Sequence, residues 1–222
     1  MPPHSRIKAQ PFPLSEVRLK AGPFKQQNEV CADYLLKVEP DRLLHSFRKH
    51  ANLQPKGEPY GGWEALGLAG HSLGHYLTAC AQQYAGDANP RFKEKVDYIV
   101  AELAEFQTNR PDGYIAAMPD GDRVWAEVKQ GNIRTAGFDL NDLWAPWYTH
   151  HKVLAGLLDA HGLADNRAAI EVARKFADWM IDITKDLTPE QWEQMLACEY
   201  GGMNDSLAEL YFRSKVAAGE RC

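Results

Sequence analysis

A helical spacing of apolar residues, repeated along most of the chain, restricts the fold more than any other feature of the sequence. In the segment Arg167–Thr184 apolar side chains recur every three or four residues, which is the period of one helix face. Asn89 before Pro90, and Thr188 before Pro189, each place a capping side chain ahead of a proline whose missing N–H costs nothing there. Alternating strand patterns are nearly absent, so the sequence predicts an all-α fold.

Loops of unequal length separate the predicted helices. Residues 28–51 are expected to form two helical pieces broken at Pro40, and residues 1–24, with five prolines, an extended arm. In residues 108–143 prolines and glycines leave room for at most short strands, near 114–117 and 123–127. A loop this long between helices is unusual and often functional. Short and long loops in alternation favour a toroid of helix pairs.

Composition argues against several functional classes. The 25 basic and 30 acidic residues are mixed along the chain, so nucleic acid is not an expected partner. No apolar run approaches the roughly 20 residues of a membrane span, so no membrane association is expected. The start, MPPHSRIKAQPFPL, lacks the apolar core of a signal peptide, which predicts a cytoplasmic protein, or a periplasmic or secreted one if the start is misassigned. The four cysteines lack the paired spacing of a zinc site and are expected to be free thiols.

The segment GGWEALGLAGHSLGHYLTACA, at residues 61–81, places His71 and His75 four residues apart among small and apolar residues. On a helix this spacing puts both imidazoles on one face, which suggests the wall of a pocket. Two core histidines with satisfied hydrogen bonds are the more common alternative. A zinc protease is excluded because HSLGH lacks a glutamate beside the first histidine.

A second cluster, LWAPWYTHHKVLAGLLDAH at residues 143–161, combines tryptophan, tyrosine and two adjacent histidines. Adjacent residues cannot share a helix face, so only one of His150 and His151 can face inward. Tyr148 precedes His151 by three residues, and we expect His151 to be the inward one. A purely structural role for the aromatic residues is an equally good interpretation.

The carboxylates show no catalytic spacing. A glycosidase needs two carboxyl groups across a cleft, or one carboxyl group and another nucleophile. Asp112, Asp120, Asp122 and Glu127 lie in the irregular region, and Glu199 and Asp205 flank a Gly-Gly turn; most are expected to be solvated loop charges. A nucleophile elbow, a phosphate loop and a dinucleotide fingerprint are all missing from the sequence, which argues against nucleotide chemistry.

Five segments together resemble one family of enzymes. They are GPFKQQNEVCADYLLKVEPDRLLHSFRKHANLQPKGEPYGGWEA, GHSLGHYLTACA, DGYIAAMPD, LWAPWYTHHKVLAGLLDAH and EYGGMNDSLAELY. Their order is similar to that at the amino-terminal end of the β-L-arabinofuranosidase-like glycoside hydrolases, family 127 and near relatives such as family 146. The resemblance covers residues 14–211, and it implies retaining hydrolysis of L-arabinofuranose residues in plant glycans.

The resemblance also implies an (α/α)6-barrel catalytic domain, which this chain covers only in part. It divides the chain into an extended arm at 1–24, the amino-terminal part of the barrel domain at 25–211 and a divergent tail at 212–222. The tail, FRSKVAAGERC, is similar to the product of a frameshift or truncation. The predicted fold is therefore an incomplete (α/α)6 barrel, a helical toroid with a long irregular insertion that carries short strands.

The family's motifs carry over to five positions that would line a sugar pocket. These are His71, His75, Trp147, His151 and Asn204. Imidazole and amide groups can hydrogen-bond sugar hydroxyls, and an indole can stack on the ring. The chain departs from the family at Asp205, where relatives have glutamate, and at His150, where they have an apolar residue.

The family's mechanism implies residues that this chain is not expected to supply. It uses a cysteine thiolate held on zinc by further cysteines and a glutamate, with another glutamate as acid/base; zinc keeps the sulfur deprotonated. All of these would lie in segments beyond residue 222. We therefore expect no metal site and no cofactor in this chain, zinc in the full-length family enzyme, and unknown catalytic residues here. Cys222 is not expected to be the nucleophile.

Three functional hypotheses follow. The first is a glycoside-hydrolase fragment that acts on arabinose-containing plant glycans in its family but is inactive alone. The second is a non-catalytic helical module that binds such an oligosaccharide or is completed by a partner; the apolar edge of an incomplete barrel favours self-association. The third is sugar epimerisation or polysaccharide lysis on a similar toroid, with His and Tyr as acid and base.

Overall fold

The computed structural model describes residues 9, 11–115, 117–199 and 201–217, and helices dominate these ranges. The α-helices in chain order are α1 Pro23–Lys37, α2 Pro40–Leu43, α3 His45–His50, α4 His71–Asp87, α5 Pro90–Asn109, α6 Gly121–Lys129, α7 Pro146–Ala164, α8 Arg167–Thr184, α9 Pro189–Leu196 and α10 Gly202–Ala217. Single 3-10 turns occur at Leu14–Glu16 and Gly62–Glu64. Residues 218–222 of the predicted tail and residues 1–8 of the predicted arm lie outside the described part of the chain.

Local signals place several helix starts correctly. The Asn89 side chain accepts a hydrogen bond from the Arg91 backbone N–H at 3.1 Å, and α5 begins at Pro90. Thr188 and Gln191 form a reciprocal capping box at the start of α9. The predicted break at Pro40 is also confirmed, since α1 ends at Lys37 and α2 begins at the proline. These helix starts depend on contacts within three residues, which is why the sequence predicts them.

The irregular region between α5 and α7 differs from the prediction. The strand expected at 123–127 is wrong, because these residues belong to α6, where Val124, Trp125 and Val128 turn one helix face to the core. Residues 114, 115 and 117 carry no strand, and residue 116 is outside the described ranges. Short strands do occur, but as β1 Thr135–Ala136, β2 Asp139–Leu140 and β3 Leu143–Trp144 in a small antiparallel sheet.

The register of this sheet is defined by two pairings. Thr135 lies opposite Leu140, and Leu140 lies opposite Leu143, with Leu140 fully buried at the centre. Burial of this leucine and Leu143 anchors the hairpins on the helical core. The sheet thereby leads the chain into the first turn of α7, where the main cavity begins.

Two glycines allow α4 and α7, the most extensively packed helix pair, to approach closely. A Cβ atom at Gly74 would lie 2.2 Å from the carbonyl carbon of Lys152, and one at Gly156 would lie 2.8 Å from the Gly74 oxygen. Outside this pair, α5 packs on α4 and α8 packs on α7, while α10 covers α7 from another side. These packed helices form an all-α helical toroid, which confirms the predicted fold class.

The core lies between these packed helices. Its largest fully buried side chains include Phe47, Phe92, Phe106, Tyr114 and Phe176. No helix within the described ranges is both long and apolar enough to cross a membrane.

Candidate functional site

A cavity with a volume of about 920 Å³, here called the main cavity, lies between α7, α8, α9 and the start of α10. This volume is within the range of small-molecule sites. Its aromatic lining consists of Trp63, Phe138, Trp144, Trp147, Tyr148 and Trp192. Its polar lining includes His151, Lys152, Thr184, Glu199 and Asn204. The cavity thus combines flat apolar surfaces with a small number of hydrogen-bonding groups.

The first two turns of α7 supply two of the cavity's aromatic side chains, Trp147 and Tyr148, and the imidazole of His151. The helix begins after Ala145, which has a positive φ of 44°, and continues with Pro146 at its first position. Trp147 is buried, with no hydrogen-bond partner for its indole N–H among the described residues. His151, one turn later, is partly buried at the cavity wall. The indole and the imidazole therefore face the same space.

Glu199 caps this helix from a distant part of the chain. Its two carboxylate oxygens accept hydrogen bonds from the backbone N–H groups of Trp147 at 2.8 Å and Tyr148 at 2.9 Å. The first N–H groups of a helix lack intrahelical partners and favour a negative charge. Burial raises the pKa of Glu199 to about 7, and the two N–H bonds oppose this shift. Glu199 therefore departs from the expected solvated loop charge, whereas Asp205 is exposed as expected.

The glycine pair after Glu199 makes room for His151. A Cβ atom at Gly202 would lie 2.5 Å from Cε1 and 2.6 Å from Nδ1 of the His151 ring. Gly201 has a φ of 97°, a backbone conformation that other residues rarely adopt. Burial lowers the pKa of His151, and the neighbouring Lys152 lowers it further. The imidazole is thus neutral at neutral pH and can both donate and accept a hydrogen bond.

The prediction that His151 is the inward-facing histidine is wrong, because His150 enters the core and His151 lines the main cavity. His150 is the buried one, at 1% exposure, with neither ring nitrogen hydrogen-bonded, and burial lowers its pKa to about 3. Five aromatic rings surround it at centroid distances of 5.0–6.0 Å, those of Tyr114, Trp125, Trp147, Phe176 and Trp179. His150 continues the apolar face of Val153 and Leu154 at the i, i+3 and i, i+4 spacing, and this signal was available in the sequence.

The two histidines of the first cluster line a second cavity, of about 600 Å³, beside the start of α4. Their ring centroids are 6.2 Å apart, so they share a helix face as predicted. His71 is buried and its Nδ1 lies 2.7 Å from the Leu68 carbonyl oxygen. His75 is exposed, and its Nε2 lies 3.1 Å from the Tyr148 hydroxyl oxygen. One histidine therefore has the satisfied core environment, and the other faces the solvent.

The two cavities adjoin each other. Trp63 lines both, and its ring centroid lies 6.1 Å from that of His71 and 6.4 Å from that of Trp144. Tyr148 links the two sides, since it contacts His75 and also lines the main cavity. The five predicted pocket residues consequently divide into one group around α4, His71 and His75, and another in the main cavity, Trp147, His151 and Asn204.

The described residues do not fit the zinc–thiolate centre that the resemblance implies. In the described ranges, His, Cys, Asp and Glu side chains do not form a group of three or more that could hold a metal ion. Cys80 lies in the core and Cys198 in the main cavity, and burial raises the pKa of both thiols to about 11. Both sulfurs are therefore protonated at neutral pH, unlike a metal-bound thiolate.

Fold and cavity together define an all-α toroid domain with an aromatic, histidine-bearing pocket. A family model described as Beta-L-arabinofuranosidase, GH127 catalytic domain, matches residues 16–220. The chain therefore belongs to this family of β-L-arabinofuranosidase-like glycoside hydrolases, which confirms the family predicted from the five sequence segments. A search of curated proteins gives no match.

Proposed function

We propose that the main cavity binds an L-arabinofuranose-containing oligosaccharide of the kind found in plant glycans. The observation that carries this proposal is the convergence of Trp147, His151 and Asn204 on one cavity in a domain of the GH127 family. An aromatic ring can pack on the C–H face of a sugar, while a neutral imidazole and an amide bond its hydroxyls. His71 and His75 would contact the part of the oligosaccharide that extends past Trp63 into the second cavity.

We further propose that hydrolysis requires groups beyond those described here. Glu199 is the carboxyl group within the cavity lining, and both of its oxygens are engaged by backbone N–H groups. A glycosidase needs a second carboxyl group or another nucleophile opposite the first. The protonated thiol of Cys198 does not meet this need without a metal. Zinc and the nucleophilic cysteine would belong to the full-length family enzyme.

Calorimetry with the purified chain tests the binding proposal. We expect saturable binding of methyl β-L-arabinofuranoside, weakened at least about tenfold by His151→Ala and by Asn204→Ala, since each loses a hydrogen bond to the ligand. Asn109→Ala, an exposed asparagine at the end of α5, is the matched control and should bind like the wild type. Absence of saturable binding, or equal affinity in all variants, would contradict the proposal. Stoichiometric release of arabinose by the chain would contradict the proposed inactivity.

A second candidate function is a module completed by another copy or by a partner. Phe24, Val30 and Tyr34 on α1 are 63–81% exposed, which is unusual for a helix of a monomeric domain. Self-association would cover this surface. Light scattering should then show a mass that rises with concentration and returns to the monomer in Val30→Lys. A constant monomer mass at every concentration would contradict completion by another copy.

A further inference from the structure

Glu199 connects two parts of the molecule that form the main cavity, the first turn of α7 and the glycine turn before α10. Its side chain is also part of the cavity lining. We propose that Glu199 is the positioning residue of the main cavity, and that its carboxylate holds the start of α7 so that Trp147 and His151 face the ligand. The part of this inference that concerns sugar affinity rests on the proposed function. The part that concerns the start of α7 does not.

The backbone hydrogen bonds at the start of α7 require such a group. Ala145, at the N-cap, has no side-chain acceptor, and Pro146 has no N–H. The Thr149 N–H already donates to the Ala145 oxygen at 3.2 Å. The N–H groups of Trp147 and Tyr148 are therefore the two that need an acceptor, and Glu199 satisfies both of them.

The other cavity-bearing helix shows the same arrangement, which indicates that it is a feature of the site rather than an isolated contact. Helix α4 also begins without a capping side chain of its own, at Gly70. The Glu64 carboxylate accepts hydrogen bonds from the N–H groups of Gly70 and Ser72, each at 3.2 Å. In both helices that carry the predicted sugar-binding histidines, the first backbone N–H groups thus donate to a glutamate from outside the helix.

The position of Glu199 is transmitted to the cavity through the glycine turn. Gly202 follows three residues later, and its lack of a side chain leaves the space that the His151 ring occupies. Asn204, another lining residue, donates its backbone N–H to the Gly201 oxygen at 3.0 Å. If the Glu199 side chain leaves the start of α7, the segment that holds both Gly202 and Asn204 loses its hydrogen bonds to the first turn of that helix.

The contact is expected to depend on pH in the neutral range. Burial raises the pKa of the Glu199 carboxyl to about 7. A protonated carboxyl group keeps one good acceptor oxygen, whereas two N–H groups need acceptors. As the pH falls through about 7, one of the two bonds is lost, the start of α7 loosens, and sugar affinity decreases.

Other titratable and charged groups lie near this carboxyl or near the neighbouring side chains of Cys198 and His151. They are Tyr148, His151 and Lys152 on α7, Cys198 beside it in the chain, Asp139 on β2 and Asp205 on α10. Burial raises the pKa of Tyr148 and that of Cys198, so neither ionises near neutrality. Burial lowers the pKa of His151, which places its protonation at more acidic pH. The variant Glu199→Gln therefore separates protonation of Glu199 from protonation of His151.

Nuclear magnetic resonance of the backbone amides tests the positioning role without any ligand. We expect the Trp147 and Tyr148 amide signals of the wild type to shift together, with a midpoint near the pKa of about 7. Glu199→Gln should abolish this shift, because the amide side chain resembles the protonated carboxyl at every pH. Glu193→Gln, an exposed glutamate on α9, is the matched control and should titrate like the wild type. Trp147 and Tyr148 amide signals that stay constant with pH in the wild type would overturn the proposal, and this measurement does not depend on the folding of any variant. The same titration in Glu199→Gln as in the wild type would also overturn it.

Calorimetry with methyl β-L-arabinofuranoside then measures the consequence for binding. We expect the wild type to bind about tenfold more weakly one pH unit below the transition than above it, and Glu193→Gln to behave in the same way. Glu199→Gln should bind weakly at both pH values. Equal wild-type affinity at both pH values, despite amide titration, would overturn the effect on binding. If the wild type binds the sugar at neither pH, the proposed function fails, while the amide titration still decides whether Glu199 positions α7.

Discussion

The starts of α4 and α7 both need an acceptor for their first backbone N–H groups, and the glutamates that supply it lie at very different distances along the chain. Each helix begins without a capping side chain, and each receives a glutamate carboxylate on two backbone N–H groups. Glu64 lies six and eight residues before the groups that it binds, whereas Glu199 lies 52 and 51 residues after them. The comparison shows that a helix start can be stabilised locally, or can instead serve as a tie between distant parts of a site.

The difference has a functional consequence. Glu64 sits within the segment that leads directly into α4, so its contact organises one end of one helix. Glu199 brings α10 and α7 together, and the main cavity lies between them and α8. A change at Glu64 should therefore act mainly on α4, while a change at Glu199 acts on the shape of the cavity.

The largest expected effect comes from breaking the contact between the two helices themselves. Gly74→Ala would place a Cβ atom 2.2 Å from the backbone of α7, which cannot move away without separating the helices. We expect a loss of about 3 kcal/mol or more in the free energy of unfolding. Chemical denaturation measures this loss.

The matched control lies on the same helix. Gly86 has open space around the position of an added Cβ atom, so Gly86→Ala should stabilise α4 by about 0.5–1 kcal/mol. If Gly74→Ala were as stable as Gly86→Ala, the close crossing of α4 and α7 would be incorrect.

A second prediction sharpens the contrast between the core face and the cavity face of α7. His150→Leu removes two unsatisfied ring nitrogens and should stabilise the protein by about 1 kcal/mol near pH 8. The pKa of His150 is lowered to about 3 in the folded protein, so the unfolded chain binds the proton first and wild-type stability is lost as the pH falls from about 6.5 toward 3. The advantage of the variant should grow by roughly 2 kcal/mol at about pH 5.

Thermal denaturation as a function of pH measures this effect, and the adjacent residue provides the comparison. His151→Leu changes the same side chain on the cavity face, where the imidazole is only partly buried, and should alter stability much less. Equal acid sensitivity in wild type and His150→Leu would mean that His150 is not confined in the aromatic cluster.

The smallest effect is expected at the local cap. Glu64→Gln keeps the shape of the side chain but removes its charge from the N-terminus of α4, which should cost about 1 kcal/mol. The amide signals of Gly70 and Ser72 should shift, and those of Trp147 and Tyr148 should not. Glu58→Gln, in the exposed loop before α4, is the control and should leave stability unchanged. A shift of the α7 amides in Glu64→Gln would remove the distinction between the two caps.

The success of sequence-based prediction follows the same distinction between local and distant contacts. The starts of α5 and α9 and the break at Pro40 depend on side chains within a few residues, and the structure has them where predicted. Prolines and glycines around the segment 123–127 predict at most a short strand there. Packing of Val124 and Trp125 on the core makes it part of a helix instead.

Some residues of the site could be predicted from the sequence, and Glu199 could not. The motifs select His71, His75, Trp147, His151 and Asn204, and the structure places all five on the walls of two adjoining cavities. Nothing in the motifs distinguishes a solvated glutamate from one bonded to a helix start 51 residues away, so Glu199 could not be recognised. The buried face of α7 could have been recognised from the spacing of His150 to Val153 and Leu154.

The amino-acid sequence by itself determined the all-α class, several helix starts and the family, because periodicity, caps and motifs are properties of neighbouring residues. Only the tertiary structure decided that the His151 ring meets Gly202 at the wall of the main cavity. It also decided that a glutamate after α9 completes the start of α7. Both outcomes depend on how α7 is rotated against α4, α8 and α10, and that rotation is set by close contacts such as Gly74 and Gly202 between distant parts of the chain.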